Sequence, residues 1–175
     1  MPTGRSTQIT KQRGEYLVAA ELARHDLLVA TFSGNVPDFD LIAVRPDGST
    51  ALVQVKAITG PSWQLKIDDF AVVEDVVDPD TDGKQGLQIL KAAKKLSNRS
   101  ILWVLIKLVD QEQPKYWVLR QTDVQKIVVS DYKAMLKKND GRRPKQWRSH
   151  HTAIWPKQLA GHEDQWTLIT TPGFG

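Results

Sequence analysis

The segment PDFDLIAVRPDGSTALVQVK, which runs from Pro37 to Lys56, decides how this chain folds. Two apolar runs in it flank the tripeptide Pro46-Asp47-Gly48, which suits a type I turn closed by a glycine in the left-handed region. The segment therefore predicts a β-hairpin with a three-residue loop. Charged residues near the open end of such a hairpin are unusual, because burying an unpaired charge is costly.

The loop length determines which residues face one another across the hairpin. A three-residue loop places Asp40 opposite Gln54, and opposed side chains project from the same face. Side chains alternate along a strand, so Lys56 lies on the same face as Gln54. Asp40, Gln54 and Lys56 are therefore predicted to converge. With a loop of two or four residues, Asp40 would face Val55 instead, and a solvated polar edge is the alternative interpretation of the same spacing.

A helix is predicted upstream of the hairpin, from Ile9 to Asp26, because this segment is rich in good helix formers. Glu15 shares a helical face with Val18 and Leu22. A carboxylate on an apolar stripe needs a cation or a metal ion as its partner. Glu15 is therefore a fourth candidate for the polar group.

These elements together resemble the PD-(D/E)XK nuclease superfamily, most nearly its Holliday-junction-resolvase-like and Mrr-like members. The resemblance covers residues 9–60, with the helix first and the hairpin second. It is carried by Gly14-Glu15, by Pro37-Asp38-Phe39-Asp40-Leu41-Ile42 and by Gln54-Val55-Lys56.

The resemblance implies a restriction-endonuclease-like fold, which is an α/β domain with a mixed central β-sheet flanked by helices. We expect residues 1–138 to form this nuclease-like core. Residues 139–175 are expected to form a basic C-terminal extension packed on the same domain.

The resemblance also implies metal-assisted hydrolysis of DNA phosphodiesters, with Mg²⁺ or Mn²⁺ as the cofactor. Glu15, Asp40 and Gln54 become candidate metal ligands, and Lys56 becomes the group that orients or deprotonates the attacking water. The family position usually held by a carboxylate is Gln54 here, an amide without charge that should weaken metal binding. Asp38 is the other candidate for the family aspartate; we favour Asp40 and keep Asp38 as a supporting residue.

The same residues are consistent with two other interpretations. The main alternative is a catalytically inactive nucleic-acid-binding module that retains the nuclease fold, because Gln54 departs from the family pattern. The third is a globular protein whose cluster is only a salt-bridged polar edge. Cutting both strands of a duplex commonly calls for two active sites, which a homodimer would supply.

Composition fits an anionic partner without identifying one. The chain has 175 residues, no cysteine and a formal net charge of +4, with a pI near 9.3. Zero cysteines exclude disulfides and thiolate chemistry. The longest apolar run is too short to span a bilayer and no secretory signal is recognisable, so no membrane partner and a cytoplasmic location are expected.

Positive charge is concentrated between Lys137 and Arg148, where Gly141 and Pro144 predict an exposed loop. Such a loop can neutralise phosphates and offers an aromatic side chain for stacking on a base. A solvated basic loop is the alternative interpretation. The candidates for nucleic-acid contact are Arg142, Arg143, Lys145, Trp147 and Arg148.

Apolar runs predict further strands at residues 27–32, 63–67, 101–109 and 116–119. The spacing of Leu87, Leu90 and Ala93 predicts a helix from about Lys84 to Leu96. Residues 121–138 favour a helix in their later part.

Overall fold

A computed structural model describes residues 4–32, 38–98, 100–109 and 112–173. In chain order its elements are α1 (Gly4–Arg24), β1 (Leu28–Thr31), β2 (Leu41–Val44), β3 (Thr50–Ile58), β4 (Trp63–Lys66), β5 (Ala71–Val77), β6 (Gly86–Ala93), β7 (Leu102–Lys107), β8 (Lys115–Arg120), α2 (Gln121–Lys138), β9 (His151–Ile154) and α3 (Thr167–Thr170). No helix in these ranges has the length and apolar character needed to cross a membrane.

The chain is divided into two units, and each unit draws on separate parts of the sequence. The first comprises Met1–Trp63, Asn98–Gln121 and Trp155–Gly175, and the second comprises Gln64–Ser97 and Thr122–Ile154. Residues beyond 138 contribute to both units. The division into a core of residues 1–138 and an extension of residues 139–175 stays a prediction.

The first unit is built on a five-stranded mixed sheet in the order β1-β2-β3-β7-β8. β3 and β7 run parallel, and the other neighbouring strands run antiparallel. β7 is buried along most of its length, as its continuous apolar run predicts. The expected α/β architecture with a mixed central sheet and flanking helices is confirmed.

The hairpin of β2 and β3 has the predicted three-residue loop. Gly48 has a φ of 81°, in the left-handed region that closes the turn. The strands pair Leu41 with Val53, so the next opposed pair towards the open end is Asp40 and Gln54. The register predicted from the turn is therefore confirmed.

The predicted N-terminal helix is also confirmed, although it begins at Gly4 instead of Ile9 and ends at Arg24 instead of Asp26. It packs on the sheet through a glycine. An ideal Cβ on Gly14 would lie 2.4 Å from Ala57 Cβ and 3.3 Å from Ile106 Cγ2. A residue without a side chain therefore lets α1 approach β3 and β7 this closely. Val18 and Leu22, one and two turns further along α1, are fully buried in the core of this unit.

The second unit corrects one prediction of secondary structure. The helix expected from Lys84 to Leu96 is wrong, because Gly86–Ala93 forms β6, which pairs antiparallel with β5. β5 is rich in valine, a β-branched residue that favours strands, and pairing with it outweighs the helical spacing of Leu87 and Leu90. The helix favoured late in residues 121–138 is confirmed as α2 and begins earlier than expected.

We expect Gly14→Ala to destabilise the protein by about 1–3 kcal/mol, because its added methyl group would overlap Ala57. Urea unfolding followed by circular dichroism measures this loss. Gly4→Ala is the matched control, since it lies in the same helix and a Cβ there has no atom within 4 Å. Adding Ala57→Gly to Gly14→Ala should restore part of the stability. Equal stability of Gly14→Ala and the wild type would contradict the close approach.

Candidate functional site

Asp40 lies at the open end of the hairpin, where the pairing of β2 with β3 ends. Its backbone N–H donates to Val53 O at 2.9 Å, and its carboxylate Oδ2 accepts the Val55 N–H at 2.8 Å. Oδ2 also accepts a hydrogen bond from Gln54 Nε2. The side chain is only 11% exposed. These bonds hold the carboxylate through Oδ2, so the remaining oxygen, Oδ1, is the one that can bind a cation.

Glu15 and Asp40 share a single ammonium group. Lys11 Nζ lies 3.5 Å from Glu15 Oε1 and 3.5 Å from Asp40 Oδ1. Lys11 is one turn before Glu15 on α1, and the approach of α1 to β3 at Gly14 brings both side chains to the strand end. Lys11 is not among the residues predicted from sequence, although its i, i+4 spacing from Glu15 is a signal for such a pair.

The pKa of Glu15 is raised above its ordinary value, first by partial burial and then by the negative charge of Asp40. The positive charges of Lys11 and Lys56 act in the opposite direction. The site thus combines two carboxylates that repel each other with two lysines that compensate them. These charges balance, so the site offers a cation carboxylate oxygens as ligands and not a net negative charge.

Lys56 projects from β3 on the same face as Gln54, as predicted. Its Nζ lies 5.8 Å from the ring centroid of Trp103, which is within range of a cation–π contact. Its backbone oxygen accepts the indole N–H of Trp63 at 2.8 Å, which fixes the strand beside it. Within the described ranges, no carboxylate forms an ion pair with Lys56. Its ammonium group can therefore meet a substrate anion.

Gln54 faces Asp40, but the nitrogen end of its amide is turned towards the carboxylate. In this orientation the amide is a donor, and a half-turn would present its oxygen instead. Asp38 is exposed and has a φ of 74°. No hydrogen bond or ion pair between described residues joins Asp38 to the cluster, so its supporting role stays a prediction. Pro37 lies outside the described residues.

The donors at this site suit a hard divalent cation. Asp40 Oδ1 and Glu15 Oε1 are carboxylate oxygens that already share the charge of Lys11. Mg²⁺ prefers oxygen ligands and keeps several waters, so it needs few protein ligands. No group of three His, Cys, Asp or Glu side chains in the described part of the chain could hold a metal ion. A metal would therefore need the Gln54 oxygen or water as further ligands.

The predicted basic segment belongs to the second unit, and its arginines make contacts inside that unit. Its first two residues end α2, and residues 139–148 form a loop without helix or strand, as expected. Arg142 Nη2 lies 3.5 Å from Asp78 Oδ2, and Arg143 donates to His151 O at 2.8 Å. A cavity of about 400 Å³ is lined by Arg143, Pro144, Lys145, Gln146 and Ser149.

Trp147 anchors this basic segment. A Cβ on Gly86 would come within 2.5 Å of the Trp147 ring, so the indole packs directly against the β6 backbone. The Arg148 guanidinium lies 4.6 Å from the centroid of the same ring. Lys145 and Arg148 are exposed. The role of the five candidates in nucleic-acid contact stays a prediction.

A side-chain network that the sequence does not reveal holds the end of the basic segment. His150 Nδ1 lies 2.7 Å from Asp68 Oδ1, and Nε2 lies 3.1 Å from Asp75 Oδ1. Asp75 also accepts a hydrogen bond from Gln88, whose own oxygen accepts the hydroxyl of the buried Tyr132 at 2.6 Å. The aspartates are far from His150 in sequence, so spacing alone could not identify them.

Burial alone would lower the pKa of His150, but its hydrogen bonds to Asp75 and Asp68 and their negative charges raise the pKa above its ordinary value. The imidazolium form is therefore favoured between the two aspartates. This form stabilises the attachment of the basic segment to β5.

Comparison with solved structures gives a likeness to a known protein. No family model matches the chain, and no curated protein matches it. The chain is similar in structure to a bacterial homing endonuclease, I-Ssp6803I, with 12% sequence identity and a TM-score of 0.48. The match covers 93% of this chain and 92% of that chain.

We expect protein stability to depend on pH through His150. Because its folded-state pKa is raised, its contribution is complete below the unfolded-state value of about 6.5 and is lost as the pH rises through the folded-state pKa. Urea unfolding from about pH 5.5 to about pH 9 should show this loss in the wild type. His150→Gln should flatten the profile, and His162→Gln, the matched control in the first unit, should keep it. Identical profiles for wild type and His150→Gln would contradict the assignment.

Proposed function

We propose that this chain is a metal-dependent endonuclease that hydrolyses DNA phosphodiester bonds in repair, recombination or restriction. One observation carries the proposal. Glu15 from α1, Asp40 before β2, and Gln54 and Lys56 from β3 meet at one end of the hairpin. Their order and residue types resemble the PD-(D/E)XK pattern, apart from the amide at position 54.

Each residue has a distinct task in this proposal. Asp40 Oδ1 and Glu15 would hold Mg²⁺ or Mn²⁺, with the Gln54 oxygen as a further donor once the amide has turned. When bound, the metal supplies a water of lowered pKa and screens the negative charge on the phosphate. Lys56 donates its N–H groups to the attacking water or to the phosphate oxygens and stabilises the charge that develops there. Asp38 is a candidate supporting residue beside Asp40.

DNA is the proposed partner because the charges of the chain suit a polyanion. The net charge is +4, and Lys145 and Arg148 are exposed cations of the basic segment. A homodimer would bring two active sites to the two strands of one duplex.

A second candidate function is nucleic-acid binding without cleavage, in a module that retains the nuclease fold. Two contacts favour it: the Gln54 amide nitrogen faces Asp40, and the Lys11 ammonium group lies between Asp40 and Glu15. The charges of the site are thereby paired within the protein. Such a module would bind DNA with an affinity that does not depend on a divalent metal.

We expect the wild type to nick supercoiled and branched DNA in Mg²⁺ or Mn²⁺, which gel electrophoresis measures. Asp40→Asn and Lys56→Ala should each lower the rate by roughly 100-fold or more, because the first removes a carboxylate that would hold the metal and the second removes a positive charge that would stabilise the reacting phosphate. The matched controls are Asp47→Asn, in the turn of the same hairpin, and Lys115→Ala, on β8 of the same sheet. Both should cleave at the wild-type rate.

Measuring DNA binding and stability alongside cleavage, with the same variants, separates the two functions. Metal-independent DNA binding without cleavage by the wild type would contradict the nuclease proposal and support the binding module. Loss of stability in the site variants, with neither DNA affinity nor cleavage in the wild type, would contradict both and support the salt-bridged polar edge.

Gln54→Glu tests whether the amide weakens the metal site. Without metal we expect lower stability, because a carboxylate replaces the N–H group that donates to Asp40. With Mn²⁺ we expect a larger rise in the unfolding midpoint than in the wild type, together with equal or faster cleavage. Thermal unfolding with and without Mn²⁺ measures both effects. An unchanged response to Mn²⁺ would contradict a ligand role for position 54.

A further inference from the structure

We propose that Lys11 acts as an internal cation that occupies the metal position in the metal-free protein and leaves it when a divalent cation binds. The proposal rests on the proposed function, because it concerns the same two carboxylates. It assigns to Lys11 a role that the resemblance does not include. Lys11 thereby sets the metal concentration at which the site fills.

The geometry of the ammonium group is the first support. Lys11 Nζ is 3.5 Å from one oxygen of Asp40 and 3.5 Å from one oxygen of Glu15, so it bridges two carboxylates that belong to different elements. These are the same oxygens, Oδ1 and Oε1, that would bind a metal ion. An ammonium group and a divalent cation cannot both hold them, because like charges repel at such short separations.

The difference in burial shows which group moves. The Lys11 side chain is 49% exposed, whereas Glu15 is 20% exposed and Asp40 is 11% exposed. The Asp40 carboxylate is also held by the Val55 N–H. Lysine has a long flexible stem and a strongly hydrated charge, so it returns to solvent with little disturbance of its neighbours. The carboxylates stay in place and the lysine leaves.

The charges determine the direction of the effect. In the metal-free protein the ammonium group compensates two carboxylates that otherwise repel each other. Removing that charge leaves the pair less compensated and removes the group that a metal must displace. Both changes favour metal binding, so a neutral residue at position 11 should tighten it.

The test is a titration of the metal-free protein with Mn²⁺, followed by electron paramagnetic resonance of the free ion. This readout does not depend on cleavage. We expect Lys11→Gln to bind Mn²⁺ roughly three- to tenfold more tightly than the wild type at moderate salt. Arg13→Gln is the matched control, because it removes one positive charge from an exposed residue of the same helix, two positions away. Its affinity should stay within about twofold of the wild type.

The outcomes separate this inference from the proposed function. Equal or weaker Mn²⁺ binding by Lys11→Gln, with binding still abolished by Asp40→Asn, would overturn the exchange and leave the metal site standing. If Lys11→Gln and Arg13→Gln tighten Mn²⁺ binding equally, the effect comes from the net charge of the protein alone. This result would also overturn the exchange. Absence of Mn²⁺ binding in every variant, or binding that Asp40→Asn leaves unchanged, would overturn the proposed metal site and the inference together.

Discussion

The contact between the Gly14 backbone and Ala57 is the constraint on which the candidate site depends. With any side chain at position 14, α1 could not lie this close to β3, and the residues around Gly14 would move away from the hairpin. Glu15 and Lys11 meet Asp40 only because this contact sets the separation of helix and sheet. Packing in the core and electrostatics at the strand end are therefore two results of one interface. Gly14, which makes this interface possible, has no side chain that could bind a ligand or react.

Local features of the sequence were sufficient to predict the hairpin and its register. Gly48 closes the turn, and alternation along the strands then determines which side chains share a face with Asp40. The α1 helix is predictable for a similar reason, since good helix formers and a buried stripe at Val18 and Leu22 agree with each other. These features depend on neighbours within one hairpin or one helix, and the sequence contains both partners at short range.

The features that were missed depend on strand pairing that outweighs a helical spacing, on side-chain orientation, or on partners that are distant in sequence. β6 has the spacing of a helix, and its pairing with β5 across a turn determines its conformation. The orientation of the Gln54 amide follows from the position of the Asp40 carboxylate, which a pattern of residue types does not contain. His150 meets Asp68 and Asp75 across more than seventy residues of sequence. Trp147 packs against Gly86, which is also distant in sequence. Its role in anchoring the loop could therefore not be predicted from its place in a basic segment.

The turn at Pro46–Gly48 has a consequence for how this protein can diverge. Exposed loops between strands are ordinarily the places where homologous proteins gain and lose residues, because such changes leave the core intact. Here a gain or loss of one residue would shift the pairing of β2 with β3 and turn Gln54 and Lys56 away from Asp40. The loop is exposed and remote from the carboxylates, and its residue types can vary within the demands of the turn. Its length cannot vary as long as the cluster is in use, so natural selection on the site would be visible as a fixed number of residues in a surface loop.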